Sequence, residues 1–245
     1  MTSAVELLER HVGRKVPEDS LIQPTKIFPT RAKVEHINMQ EMAKLEGHGQ
    51  EFAIRFLNDK KHKYTSDEQE MEFKYLERGI MCDSIITLKI GAQVMCIVNM
   101  EVADGQMLCN GSQGIVTGFS SSFSQYACPG SDLSANIGLG ALPIIKFTNL
   151  EKEIVLSAHT WQSERCPGLS ISQIPIILAW AITIHKSQGA SLDMAEIDVG
   201  SNIFECGQTY VALSRVKSLE GLFLTSLDIS KILINKKVQE FYKEL

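Results

Sequence analysis

Two short stretches carry side chains that could meet a phosphate. The first is Thr183-Ile184-His185-Lys186-Ser187-Gln188-Gly189, which follows directly on the apolar run Ile174 to Ile184. Polar residues at the end of a buried element, opened by a glycine, are placed to meet something outside the core. Lys, Ser and Thr side chains with free backbone N–H groups suit phosphate oxygens. The second is Gly207-Gln208-Thr209-Tyr210-Val211-Ala212-Leu213-Ser214-Arg215, with Val211, Ala212 and Leu213 read as core-facing and Arg215 at the end. An arginine there can reach across a cleft, and its planar fork fits phosphoryl oxygens better than an ammonium does. The competing structural reading pairs Arg215 with Glu205 or Glu220.

These stretches need elements to hold them. From Ala179 onward the rhythm is α/β. Met194 to Val199 and Leu222 to Thr225 read as strands, residues 207–215 as a helix, and Ile182 to Gln188 as a helix or a tight strand-to-helix turn. Alternating units of this length predict a parallel sheet covered by helices. Upstream, Thr25 to Phe28 has strand character. A helix is expected from about Lys33, with Val34, Ile37, Met42 and Leu45 inward, and an amphipathic helix is expected over 1–16.

The middle of the chain is different. Gln93–Val98, Gly114–Phe119, Pro143–Phe147 and Glu153–Leu156 are short β-rich runs, and Asn110-Gly111 is a hairpin-turn signal because both residues accept positive φ. That spacing predicts a small barrel. Ser120 to Gly140 reads as an extended loop, residues 58–78 as a solvated linker and surface helix, and Ile229 to Leu245 as a terminal amphipathic helix.

Composition narrows the functions. With 24 Lys and Arg against 29 Asp and Glu, the net charge is −5, which excludes a uniformly basic coat but not a local basic groove. Six cysteines without a Cys-x-x-Cys pair read as buried reduced thiols, and nothing reads as a metal site built by the protein. The apolar run is too short to cross a bilayer, which needs about 20 residues. The first residues carry acids and no apolar core of a signal peptide. The expectation is a soluble intracellular protein with no membrane partner.

Taken together, Ala179 to Gly189, Ser191-Leu192-Asp193 and Gly207 to Arg215 resemble motifs V and VI of the Pif/RecD branch of superfamily 1 helicases. Leu88 to Met95 and Leu108 to Phe119 resemble the stretch leading into that family's inserted barrel. Pro24 to Arg31, with Val34, Ile37 and Asn38, resembles its motif IV. The resemblance covers most of the chain.

It implies an α/β fold: a second RecA-like domain over 21–90 and 179–245, interrupted by an SH3-like β-barrel at 91–178 with the loop 120–140, and preceded by a helix or linker over 1–20. It implies the C-terminal portion of a 5′–3′ ATP-dependent DNA helicase, monomeric, and nuclear or mitochondrial in a eukaryote. Arg215 becomes the arginine finger. Lys26, Gln188, Gly189 and Arg215 face ATP, while Asn38, Thr183, His185, Lys186 and Ser187 face single-stranded DNA. Trp161 is a candidate to stack on a base, or else a barrel-core residue. Where the family has an arginine in motif IV, this chain has Lys26, which keeps the charge and loses the bidentate fork.

No Gly-x-x-x-x-Gly-Lys-Ser/Thr occurs, and no apolar strand ends in an Asp-Glu pair. The parts that hold ATP and Mg²⁺ in the intact helicase are therefore expected on a missing N-terminal RecA-like domain. This chain alone is expected to bind neither and to be inactive. Two other readings stay open: a non-catalytic module for single-stranded nucleic acid, and a protein-interaction fragment working through the barrel.

Overall fold

The computed structural model describes residues 2–17, 20–102, 105–120, 141–200, 203, 205–232 and 240–241. In chain order the helices are α1 (Thr2–Glu9), α2 (Arg31–Lys44), α3 (Ser66–Gly79) and α4 (Gln208–Leu213). The strands begin with β1 (Thr25–Phe28), β2 (Gln50–Ala53), β3 (Arg55–Asn58), β4 (Ile85–Leu88), β5 (Gln93–Cys96), β6 (Met100–Glu101), β7 (Met107–Leu108) and β8 (Gln113–Ser120). They continue with β9 (Leu142–Phe147), β10 (Ile154–Val155), β11 (His159–Gln162), β12 (Leu169–Gln173), β13 (Ile176–Leu178), β14 (Ala181–Thr183), β15 (Ala195–Val199) and β16 (Leu222–Leu227).

The chain forms two compact units. One comprises residues 1–44, 110–113 and 178–245; the other comprises 45–109 and 114–177. Residues 45–90, read above with the RecA-like domain, group with the second unit.

The first unit holds a four-stranded sheet in the order β14-β1-β15-β16, with β1 parallel to both its neighbours and β15 parallel to β16. The expected parallel sheet is present. Its strands are short; β14 is buried throughout and β1 nearly so, β15 alternates buried and half-buried residues, and β16 is buried only over Leu222–Leu224. Ile27, Ile182, Ile197 and Leu224 are each at most 2% exposed. Helix α2 lies against β14 and β1, with Val34 packed on Phe28 and Ala181. The outward N–H and C=O of Ala181 are both taken by the Asn38 amide, at 2.9 Å each. The first helix stops at Glu9, short of the expected 16; Val12 instead bridges to Leu224.

The second unit is antiparallel, with β9 flanked by β8 and β10, β12 flanked by β11 and β3, and the pairs β2–β4 and β6–β7. Phe52, Phe147, Leu156 and Ile171 lie in its interior. Helix α3 starts on a complete capping box, in which Thr65 accepts from the Glu68 N–H and Glu68 accepts from the Thr65 N–H. Its Glu72 is buried and accepts a hydrogen bond from Ser163 at 2.6 Å, so the charged stretch is more than a solvated surface. Trp161, in β11, is half-buried with its ring edge-on to His159.

The run Ile174 to Ile184 is not one element. It supplies β13 to a sheet of the second unit and β14 to the parallel sheet. Of the described cysteines, Cys82 and Cys96 are buried, but Cys109 and Cys206 are exposed, which corrects the reading of buried thiols. The loop expected over 120–140 and most of the terminal helix lie outside the described residues; a 3₁₀ turn covers Ile229–Lys231. Among the described residues no helix is long and apolar enough to cross a membrane.

Candidate functional site

Strand β14 ends at Thr183, and the chain leaves it in a tight turn with no helix. Thr183 organises the exit: its hydroxyl accepts from the Lys186 N–H at 3.1 Å and its carbonyl from the Ser187 N–H at 3.0 Å. Ser187 is fully buried and donates its hydroxyl to the Ile184 carbonyl at 2.7 Å. Further bonds run from Gln188 N–H to His185 C=O and from Ala190 N–H to Ser187 C=O. Gly189 closes the turn at φ +77°, where a side chain would be strained.

This sorts the expected DNA-facing residues. His185 is exposed and Lys186 half-buried, so both side chains reach the surface of the turn. Ser187 does not: its hydroxyl is spent on the turn's own backbone. The Thr183 side chain is likewise mostly enclosed, as the brace for Lys186. The Asn38 amide, for its part, is engaged on both sides by Ala181. These three build the turn and its strand instead of projecting from them.

The second stretch forms α4, entered through Gly207 at φ +82°. Gln208, Thr209 and Ala212 are buried and Tyr210 is exposed. Val211 and Leu213, expected in the core with Ala212, are only half-buried. Arg215 follows the helix and is half-buried. Its Nε donates to the Val211 carbonyl at 3.0 Å and a terminal nitrogen to Ser214 Oγ at 2.9 Å. Among the described residues no carboxylate pairs with it, so the partners Glu205 and Glu220 are not found. Both bonds hold the guanidinium against the end of its own helix.

The parallel register separates the two sets. Thr183 ends β14, and His185 and Lys186 follow it. Arg215 lies beside the N-terminal ends of β15 and β16: its carbonyl accepts from the Leu192 N–H at 2.8 Å, and a bridge joins Leu192 to Val216. Gln188 and Gly189 are exposed on the return path between them. Lys26 stands second in β1, half-buried and in register with Ala181 and Glu196. Lys217 forms a 2.7 Å ion pair with Asp193 beside Leu192.

Sequence reasoning missed one residue here. Gln113 is fully buried and bonded to Thr25, Asp193 and Met194. A glutamine at the start of a β-run carries no local sign of partners 80 residues away. Among the described residues no three His, Cys, Asp or Glu side chains gather as a metal site.

Comparison with known proteins gives a consistent result. The family model described as the 2B domain of the DNA helicase Pif1 matches residues 77–119. An ATP-dependent DNA helicase PIF1 of Emericella nidulans is 31% identical over 96% of this chain and 35% of its own length. The crystal structure of the Pif1 helicase from Candida albicans superposes with a TM-score of 0.69 at 30% identity, over 99% of this chain and 54% of that one. A Bacteroides Pif1 structure in complex with ADP-AlF3 and ssDNA matches with a TM-score of 0.55 at 26% identity, over all of this chain and 50% of that one. The chain thus spans about a third of that fungal relative and about half of the solved structures.

Proposed function

The chain belongs to the Pif1 helicase family, and on that premise we propose that it is the C-terminal portion of a 5′–3′ ATP-dependent DNA helicase. In this reading it supplies the arginine finger and part of the single-stranded DNA track, and the antiparallel unit contains the SH3-like insertion. The observation that carries it is the turn after β14. Its buried hydroxyls are used to build the loop, and this leaves His185, Lys186, Gln188 and Gly189 at the surface. A Pif1 of the same fold was crystallised with a nucleotide analogue and ssDNA together.

His185 and Lys186 would contact the DNA backbone. Each phosphate neutralised on a single strand releases counterions and contributes about −0.7 to the slope of log affinity against log salt. Arg215 and Lys26 would supply the charge, and Gln188 and Gly189 the polar remainder, of one wall of the nucleotide site. There a planar guanidinium stabilises negative charge that grows on the phosphoryl oxygens. Bound MgATP supplies the free energy of phosphoryl transfer to water. This chain does not fit that group by itself: its sequence lacks the glycine-rich phosphate loop and the strand-end carboxylates. The first RecA-like domain is the expected partner that carries them.

Titration of a labelled oligonucleotide at two salt concentrations tests the DNA contact. Weak binding that falls with salt is expected, reduced in Lys186→Ala; no binding at low salt overturns the reading. ATP turnover by the purified chain that vanishes in Arg215→Ala would refute its predicted inactivity.

A further inference from the structure

Residues 110–113 interrupt the second unit in sequence yet belong to the first. As a sequence, Asn110-Gly111 reads only as a hairpin turn. In the fold it lies against the segment Ser191–Met194. Gly111 has φ +97°, and a Cβ there would stand 2.5 Å from the Ser191 nitrogen and 2.7 Å from its carbonyl oxygen. Only glycine lets two backbones approach so closely. Two residues on, the buried Gln113 amide bonds through both ends. Its Oε1 accepts from the Asp193 N–H at 3.1 Å and the Met194 N–H at 3.3 Å. Its Nε2 donates to Thr25 Oγ1 at 2.6 Å and to the Met194 carbonyl at 3.3 Å. Thr25 in turn donates its hydroxyl to the Ala179 carbonyl at 2.6 Å.

The other side of the same segment holds the arginine. Leu192 N–H donates to the Arg215 carbonyl at 2.8 Å and Leu192 C=O accepts from the Lys217 N–H at 3.0 Å, while the Asp193 carboxylate meets the Lys217 ammonium at 2.7 Å. The outward turn 184–190 ends where this segment begins. Its other end is fixed by β14, so its free path is set by Thr183 and Ser191.

We infer that Gln113, seated by Gly111, is a positioning residue that fixes Ser191–Met194 and thereby sets both Arg215 and the turn bearing His185 and Lys186. The functional half of this inference rests on the proposed DNA contact. The glutamine touches no ligand. It acts by giving two adjacent N–H groups a single buried acceptor, and its own donor is anchored on the central strand β1. A buried amide satisfied at both ends admits one geometry, since any other leaves a polar group without a partner.

The test uses the 245-residue chain and three variants: Gln113→Leu, Gln113→Glu and Thr25→Val. Amide hydrogen exchange is followed residue by residue, and oligonucleotide titrations are run at two salt concentrations. For Gln113→Leu, exchange at Leu192, Asp193, Met194 and Lys217 is expected to rise about tenfold or more, with Val116 and Ile145 unchanged. The DNA dissociation constant is expected to rise several-fold at an unchanged binding-competent fraction. Gln113→Glu keeps an acceptor for the Asp193 and Met194 N–H groups but turns an oxygen toward the Met194 carbonyl, so only partial protection at 193 and 194 is expected. Should Gln113→Leu fail to fold, Thr25→Val removes one of the two acceptors of Nε2 together with the hydroxyl that donates to the Ala179 carbonyl, and the same local pattern at 192–194 is expected at smaller amplitude.

Unchanged exchange at 192–194 in a folded variant overturns the inference. So does a uniform rise in exchange with fewer competent molecules at unchanged affinity, which is the mark of a purely structural residue. If the wild-type chain binds no oligonucleotide, the proposed DNA contact fails, and the exchange measurements still decide whether Gln113 sets the segment.

Discussion

In the parallel-sheet unit three buried polar side chains hold the segments around the candidate site, whereas in the antiparallel unit Gln173 and Glu72 hold elements remote from it. In the first, Thr183, Ser187 and Gln113 bond to backbone within or beside the polar segments. In the second, Gln173 is fully buried, donating to the Phe52 carbonyl at 2.9 Å and accepting from the Ile174 N–H at 2.9 Å. Glu72 there holds Ser163, whose hydroxyl accepts from the Arg165 and Cys166 N–H groups. The chemistry of burial is the same in both: a polar group taken from water must be paired. The difference lies in what the pairing fixes. Damage in the first unit should appear in ligand contacts with modest loss of stability, and damage in the second as lost stability alone.

The largest expected effect sets the scale. Phe147→Ala in the antiparallel core should cost about 3–5 kcal/mol in chemical denaturation, because the ring's burial is lost and a cavity remains. Gln173→Ala should follow, at about 1–3 kcal/mol for each group left without a partner, with DNA affinity at low salt unchanged. A Gln173 variant that folds normally but loses DNA binding would break the contrast between the units. Thr65→Ala removes the first half of the α3 capping box and should cost about 1 kcal/mol in thermal unfolding, again without effect on binding.

The smallest effect is a pH dependence. Burial holds the His159 imidazole below its ordinary value of about 6.5. The folded state thus favours the neutral ring, and the unfolded chain binds more protons. Stability from this source is complete above the unfolded value and declines as pH falls below it, toward the depressed folded value. Melting temperatures at pH 7.5 and 5.5 should drop more for the wild type than for His159→Gln. An equal drop in both would remove His159 from the account.

Periodic and β-branched runs made much of the scaffold readable. The strands β1, β5, β8, β9, β15 and β16 and the helices α2 and α4 fall where apolar spacing and turn residues put them. The division of Ile174–Ile184 between two sheets was hidden, since Ala179-Trp180 carries no glycine or proline to mark a break. Within the candidate site, the two polar segments stood out by residue type. Their internal bookkeeping did not. Asn38 meets a partner 143 positions away and Gln113 partners 80 and 88 away, and no local pattern encodes such pairings. Glu72 was invisible for another reason: it is an acid in a helix rich in charged residues, and its partner Ser163 lies 91 positions away.

Asn38 has one more consequence. Strand β14 is outermost in its sheet, and the Asn38 side chain occupies the backbone groups of Ala181 that would otherwise greet an incoming strand. A single carboxamide thus closes that position to strand pairing, a task that edge strands elsewhere give to charged residues or to proline.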